Sequence, residues 1–81
     1  MKKGDFISVA KRMVKEHYNR YVAGNDDMKI DTSDIHVIQF EDIDDDYRIV
    51  LTTAYVDGMY YEVTYDHETD ELDSMILKER F

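Results

Sequence analysis

The sequence predicts an α+β fold, a single domain over residues 1–81 in which one N-terminal helix packs on an antiparallel β-meander of three to four strands. Three observations carry that expectation. Apolar residues recur at three- and four-residue steps near the N-terminus. Two runs rich in β-branched and aromatic residues flank Asp57-Gly58, and short acidic runs divide the remainder into strand-length pieces. A chain of this size buries only about 60% of the surface it exposes when unfolded, so the core is thin and leaves no room for an ordinary enclosed catalytic cavity.

The helix is expected over residues 5–23. Phe6, Val9, Ala10, Met13, Val14, His17, Tyr18, Tyr21 and Val22 fall on one face, while Ser8, Lys11, Arg12, Lys15, Glu16, Asn19 and Arg20 fill the other. Asp5 is placed to cap its start, and Gly24-Asn25 to end it. Residues 25–34 read as a polar connection with Met28 or Ile30 turned inward. A first strand is expected over residues 35–41, with His36, Ile38 and Phe40 on one face and Val37, Gln39 and Glu41 on the other. Asp42 to Asp46 then form a turn.

The strongest local signal is the hairpin of strands 47–56 and 59–66. Asp-Gly between alternating β-formers favours a two-residue type I′ turn, whose two central residues need positive φ. That turn sets Val56 against Met59, Ala54 against Tyr61, Thr52 against Val63 and Val50 against Tyr65. The helix would then cover Val50, Ala54, Val56, Met59, Tyr61, Val63 and Tyr65. Ile49, Leu51, Tyr55 and Tyr60 would lie on the other face among carboxylates, either as a contact surface or covered by the long loop or Phe81. Asp66 to Glu71 make the next turn, and residues 71–78 a fourth strand.

Charge is the best functional clue. The net charge is −9, yet up to Gly24 six bases face two acids, a balance of +4, and beyond it four bases face seventeen acids, a balance of −13. Polyanionic nucleic acid is a poor ligand for the acidic part, and a basic groove on another protein is a good one. No cysteine is present, which fits a reducing compartment. Two early lysines are not followed by an apolar run of signal-peptide or membrane length, so a soluble protein of the host cytoplasm is expected.

Chemical motifs are weak. Asp42-x-Asp44-Asp45-Asp46 is rich in carboxylates, but a calcium loop counted from Asp42 needs Gly at its sixth place and Glu at its twelfth, where Tyr47 and Thr53 stand. His17, His36 and His67 lack zinc-site spacing. His17 reads as a packed histidine of the helix face, and His67, between Asp66 and Glu68, as a turn residue inclined to hold a proton. Ser8, Ser33 and Ser74 sit in no nucleophile motif, and three glycines cannot supply a phosphate-cradling loop. No catalytic residue, cofactor or metal is expected.

The string Asp57-Gly58-Met59-Tyr60-Tyr61-Glu62-Val63-Thr64-Tyr65, preceded by Leu51-Thr52-Thr53 and by Ala10-Lys11-x-x-Val14 in the helix, resembles a family of small uncharacterised proteins encoded by phages and prophages of Gram-positive bacteria. The acidic run Asp42 to Asp46 is not part of that resemblance. No activity comes with it. It implies a mobile-element context, in which small acidic proteins often inhibit host nucleic-acid enzymes, anti-CRISPR proteins among them.

Charge and context together predict an inhibitor that occupies a basic nucleic-acid-binding surface of a host protein. The expected contact residues are Asp42, Asp44, Asp45, Asp46, Glu62, Asp66, Glu68, Asp70, Glu71 and Asp73, with Tyr55 and Tyr60 as anchors. Acidity that merely keeps a small protein soluble is the plainer explanation. The alternative function is a structural or assembly protein in which the uncovered sheet face or an edge strand builds a homodimer or docks to a phage component.

Overall fold

The computed structural model describes residues 1–53 and 60–77, leaving aside the side chains of 75–77. It contains one helix, α1 (Lys3–Tyr21), and four strands, β1 (Ile35–Ile43), β2 (Asp46–Thr53), β3 (Tyr60–Asp66) and β4 (Glu71–Leu77). The strands form one antiparallel sheet in the order β1-β2-β3-β4, so each neighbour in sequence is a neighbour in space. The expected α+β meander is the observed one.

Helix α1 buries the stripe Phe6, Ala10, Val14 and Tyr18, spaced four residues apart, against the sheet. It begins two residues before the expected start. Lys2 is its N-cap without a side-chain bond, and Asp5 lies inside the first turn, where a negative charge suits the positive end of the helix dipole. Nor does Gly24 supply a left-handed stop. The N–H groups of Val22 and Ala23 both donate to the Tyr18 carbonyl, at 2.9 and 2.8 Å, and the chain leaves the helix there.

The connection to β1 is better ordered than a plain loop, with two single-turn 3-10 segments, Asp26–Met28 and Thr32–Asp34. The Asn19 side chain clamps it to the helix. Its Oδ1 accepts from the Ile30 N–H at 2.8 Å, and its Nδ2 donates to the Ile30 carbonyl at 3.0 Å. Ile30 is thereby held in the core, whereas Met28 stays exposed.

Strand β1 is longer than expected and carries a β-bulge. Val37 pairs with Leu51 and Gln39 with Val50, leaving Ile38 as the extra residue. The bulge breaks the simple alternation read from the sequence. Phe40, opposite Ile49, shares the helix face with Ile35, opposite Thr53, while His36, opposite Thr52, falls on the other side.

The register of β2 on β3 corrects the sequence expectation. Tyr47 pairs with Tyr65, Ile49 with Val63 and Leu51 with Tyr61, three residues away from the expected pairing of Val50 with Tyr65. An odd displacement sends one strand's side chains to the opposite face. Tyr61, Val63 and Tyr65 face the helix as expected, but their β2 neighbours are Tyr47, Ile49 and Leu51, with Ile49 and Leu51 fully buried. Burying this larger trio removes more apolar surface from water than burying Val50, Ala54 and Val56, and that difference favours the observed register. The expected Asp57-Gly58 turn lies outside the described residues.

Phe6 anchors the core near the start of the helix. Its ring centroid lies 5.2 Å from that of Tyr47, 6.1 Å from Phe40 and 6.4 Å from Tyr65. Tyr47 and Tyr65 stack across the strands at 5.8 Å. Among the described residues, no helix is long and apolar enough to cross a membrane.

Candidate functional site

In a meander, alternate turns emerge at the same end of the sheet. The β1–β2 and β3–β4 turns are therefore neighbours, and they are the two acidic turns of the sequence. The first is tight. Asp44 and Asp45 have φ of 52° and 72°, the positive pair of a type I′ turn, closed between the paired residues Ile43 and Asp46. Asp42 Oδ1 accepts from the Asp45 N–H at 3.1 Å. Two aspartates thus occupy the kind of turn that the sequence advertises at Asp57-Gly58. Aspartate tolerates the left-handed region better than most residues, which is the physical signal that could have identified it.

The second turn runs between the paired residues Asp66 and Glu71. Asp66 Oδ1 accepts from the Glu68 N–H at 2.9 Å, and Asp70 adopts φ of 56°. The Tyr65 hydroxyl donates to Asp70 Oδ1 at 2.5 Å. That bond, with burial and the nearby carboxylates, pushes the Tyr65 phenol up to about 12. Burial first, and then the charges of Asp42 and Asp45, raise Tyr47 as well.

One side chain joins the two turns. Asp46 Oδ1 accepts the His67 backbone N–H at 2.9 Å and lies 2.7 Å from His67 Nδ1. The backbone bond, then the side-chain bond, holds the Asp46 carboxyl below its usual range. The same carboxylate, aided by Glu68 and Asp45, raises His67. The sequence reading of His67 as a turn residue inclined to protonate agrees with this placement. Asp46, Asp66 and His67 bring one potential ligand atom each to within 4.8 Å of one another, all exposed. This grouping is not legible in the sequence, because it depends on the β2–β3 register.

The end of the molecule therefore gathers eight of the expected contact residues: Asp42, Asp44, Asp45, Asp46, Asp66, Glu68, Asp70 and Glu71. The N-terminus lies against the same end. Met1 offers its ammonium to the Tyr65 oxygen at 3.4 Å, the Tyr47 hydroxyl donates to the Met1 carbonyl at 3.1 Å, and the Lys3 ammonium sits 4.8 Å from the Phe40 ring centroid. Part of the acidic field is thus offset locally.

The remaining expected residues lie elsewhere. Asp73 and Glu62 belong to the open face, with Asp73 opposite Thr64 and Glu62 opposite Val50. Glu62 is engaged, since Arg48 Nε and Nη2 both approach its Oε2 at 2.6 Å, and Arg48 Nη1 lies 3.4 Å from Glu41 Oε1. Gln39 extends this row by donating to Glu41 at 2.6 Å. Beneath it Val50 is buried although no helix covers that face, because long polar side chains can shelter apolar surface with their stems. A shallow concavity of about 390 Å³ runs from this row to the acidic end, lined in part by Arg48, Thr64, Asp66, Glu71 and Asp73. Tyr60 begins β3 at the far end of the sheet, away from the acidic turns. Tyr55 lies outside the described residues. The expected hydrophobic face also changes, because Ile49 and Leu51 lie under the helix.

Comparisons with curated proteins and with solved structures gave no match. The model of a family of unknown function, DUF6275, matches residues 7–74, which include most of α1 and both acidic turns, and the chain belongs to that family.

Proposed function

We propose that this protein is a small acidic binding protein, encoded by a phage or related element, that inhibits a host nucleic-acid enzyme by occupying its basic binding surface. The observation that carries the reading is the convergence of two acidic turns at one end of the sheet. The turns cap strands about 4.8 Å apart, which crowds their carboxylates as a nucleic-acid duplex crowds its phosphates, at about one charge per 1.7 Å of axis. A Lys- and Arg-lined groove built for phosphates would meet a dense acidic rim on a rigid sheet. The N-terminal amine, Lys3 and His67 moderate that rim, so recognition depends on its outermost carboxylates, Asp44, Asp45 and Glu68. Glu62 is committed to Arg48 and serves the scaffold.

The test is a pull-down from bacterial lysate with the protein as bait, eluted by rising salt and followed by competition with DNA for any retained enzyme. Retention at low salt, release at high salt and competition by DNA are the expected results. The variant Asp44→Asn/Asp45→Asn/Glu68→Gln keeps residues suited to the turns and should lose that retention. A partner held equally well by this variant would refute the reading.

A further inference from the structure

We infer that the free edge of β1 is the pairing surface for a second copy of this chain, forming an antiparallel dimer with one continuous eight-stranded sheet. β1 is the first strand in the sheet order, so among the described residues one of its sides is unpaired. It is nine residues long, Ile35–Ile43, and contains no Lys, Arg or Pro. Those residues are common means of keeping an edge from pairing. β1 also carries Val37, Ile38 and Ile43, three of the large apolar side chains exposed among the described residues. A bulge can itself blunt an edge, but the one at Ile38 lies mid-strand, so a two-fold axis there matches the same distortion in both copies.

Charge selects the orientation and the occupant. The acidic residues of β1, Glu41 and Asp42, lie toward the tight turn, and His36 lies toward the other end. Parallel pairing would set Glu41 and Asp42 against their own copies. Antiparallel pairing centred at Ile38–Gln39 sets His36 of one copy opposite Glu41 of the other, on the same face of the sheet, and brings the two Ile38 side chains near the axis. It also carries the two acidic ends to opposite extremities of the sheet, which limits repulsion between chains of net charge −9. Both acidic ends stay open to partners. The inference rests on the edge and not on the proposed inhibitory role.

Sedimentation equilibrium of the full chain over a wide concentration range tests it, alongside Ile38→Lys and Val37→Lys, both changes at exposed positions. The expected wild-type mass rises with concentration from 9.7 kDa to twice that value. Added salt should leave the dimer intact or strengthen it, by screening the repulsion between copies. Each lysine variant should remain at the mass of one chain while keeping the wild-type circular dichroism spectrum. In case a variant unfolds, hydrogen exchange on the wild type provides a second measure, with β1 amides becoming more protected as concentration rises. A wild type that stays monomeric, a dimer that folded lysine variants do not disrupt, or β1 exchange independent of concentration would overturn the inference.

Discussion

Ile49 and Ile43 offer a direct test of the strand register, because they are the same residue type on adjoining strands and differ chiefly in burial. Ile49 is fully buried, paired with Phe40 on one side and Val63 on the other, in the cluster that contains Phe6. Ile43 ends β1 with 63% of its surface exposed. Truncating a buried isoleucine to alanine removes transfer free energy and leaves a cavity, at a cost of about 2–5 kcal/mol. A domain of this length is stable by about 4–12 kcal/mol in total, so the loss is a large share of it. A cost of about 3 kcal/mol lowers the melting temperature by about 12–24 °C in a domain this small. Ile43→Ala should change stability by no more than about 0.5 kcal/mol. Urea denaturation followed by circular dichroism measures both variants, and a shift in midpoint without a change in slope identifies a true stability effect. The reasoning fails if Ile43→Ala costs as much as Ile49→Ala, or if Ile49→Ala leaves the midpoint near wild type.

Replacing Asp44 by Asn and Asp45 by Gly supplies the residue pair that a type I′ turn favours, and relief of the positive-φ strain, set against the greater freedom of glycine in the unfolded chain, should stabilise the fold by about 0.5–1 kcal/mol in the same assay. A lower midpoint would mean that the turn has another geometry. The Asp46–His67 bridge has a defined pH window. Raised His67 contributes stability that is complete below its unfolded value of 6.5 and lost as pH rises through its higher folded value. Lowered Asp46 contributes stability that is present above 3.8 and lost as pH falls through its lower folded value. The bridge is therefore fully effective between 3.8 and 6.5. An NMR titration should give a His67 midpoint above 6.5 that returns toward it in Asp46→Asn, and a wild-type midpoint at or below 6.5 would contradict the bridge.

The sequence carried the helix and the order of the strands plainly, because amphipathic periods and acidic interruptions are local features. It also marked the acidic turns as the candidate site. It misassigned the face of β2 because a hairpin motif specifies how a turn prefers to bend, while burial decides which strand residues meet. The alternatives Tyr47-Ile49-Leu51 and Val50-Ala54-Val56 have the same period, and only the helix above them distinguishes their sizes. The bulge at Ile38 is hidden for a related reason: an extra β-branched residue following Val37 leaves no compositional mark within a strand.

The sequence by itself determined an α+β domain with a basic helix, an acidic sheet portion and acidity concentrated in two turns. Those properties follow from residue spacing and charge along the chain. Tertiary structure decided that the two turns share one end, that Asp46 and His67 join them, that Glu62 is taken up by Arg48, and that Ile49 and Leu51 lie inside. Each of these depends on strand register and sheet order, which are settled when distant segments compete for the same apolar surface under one helix.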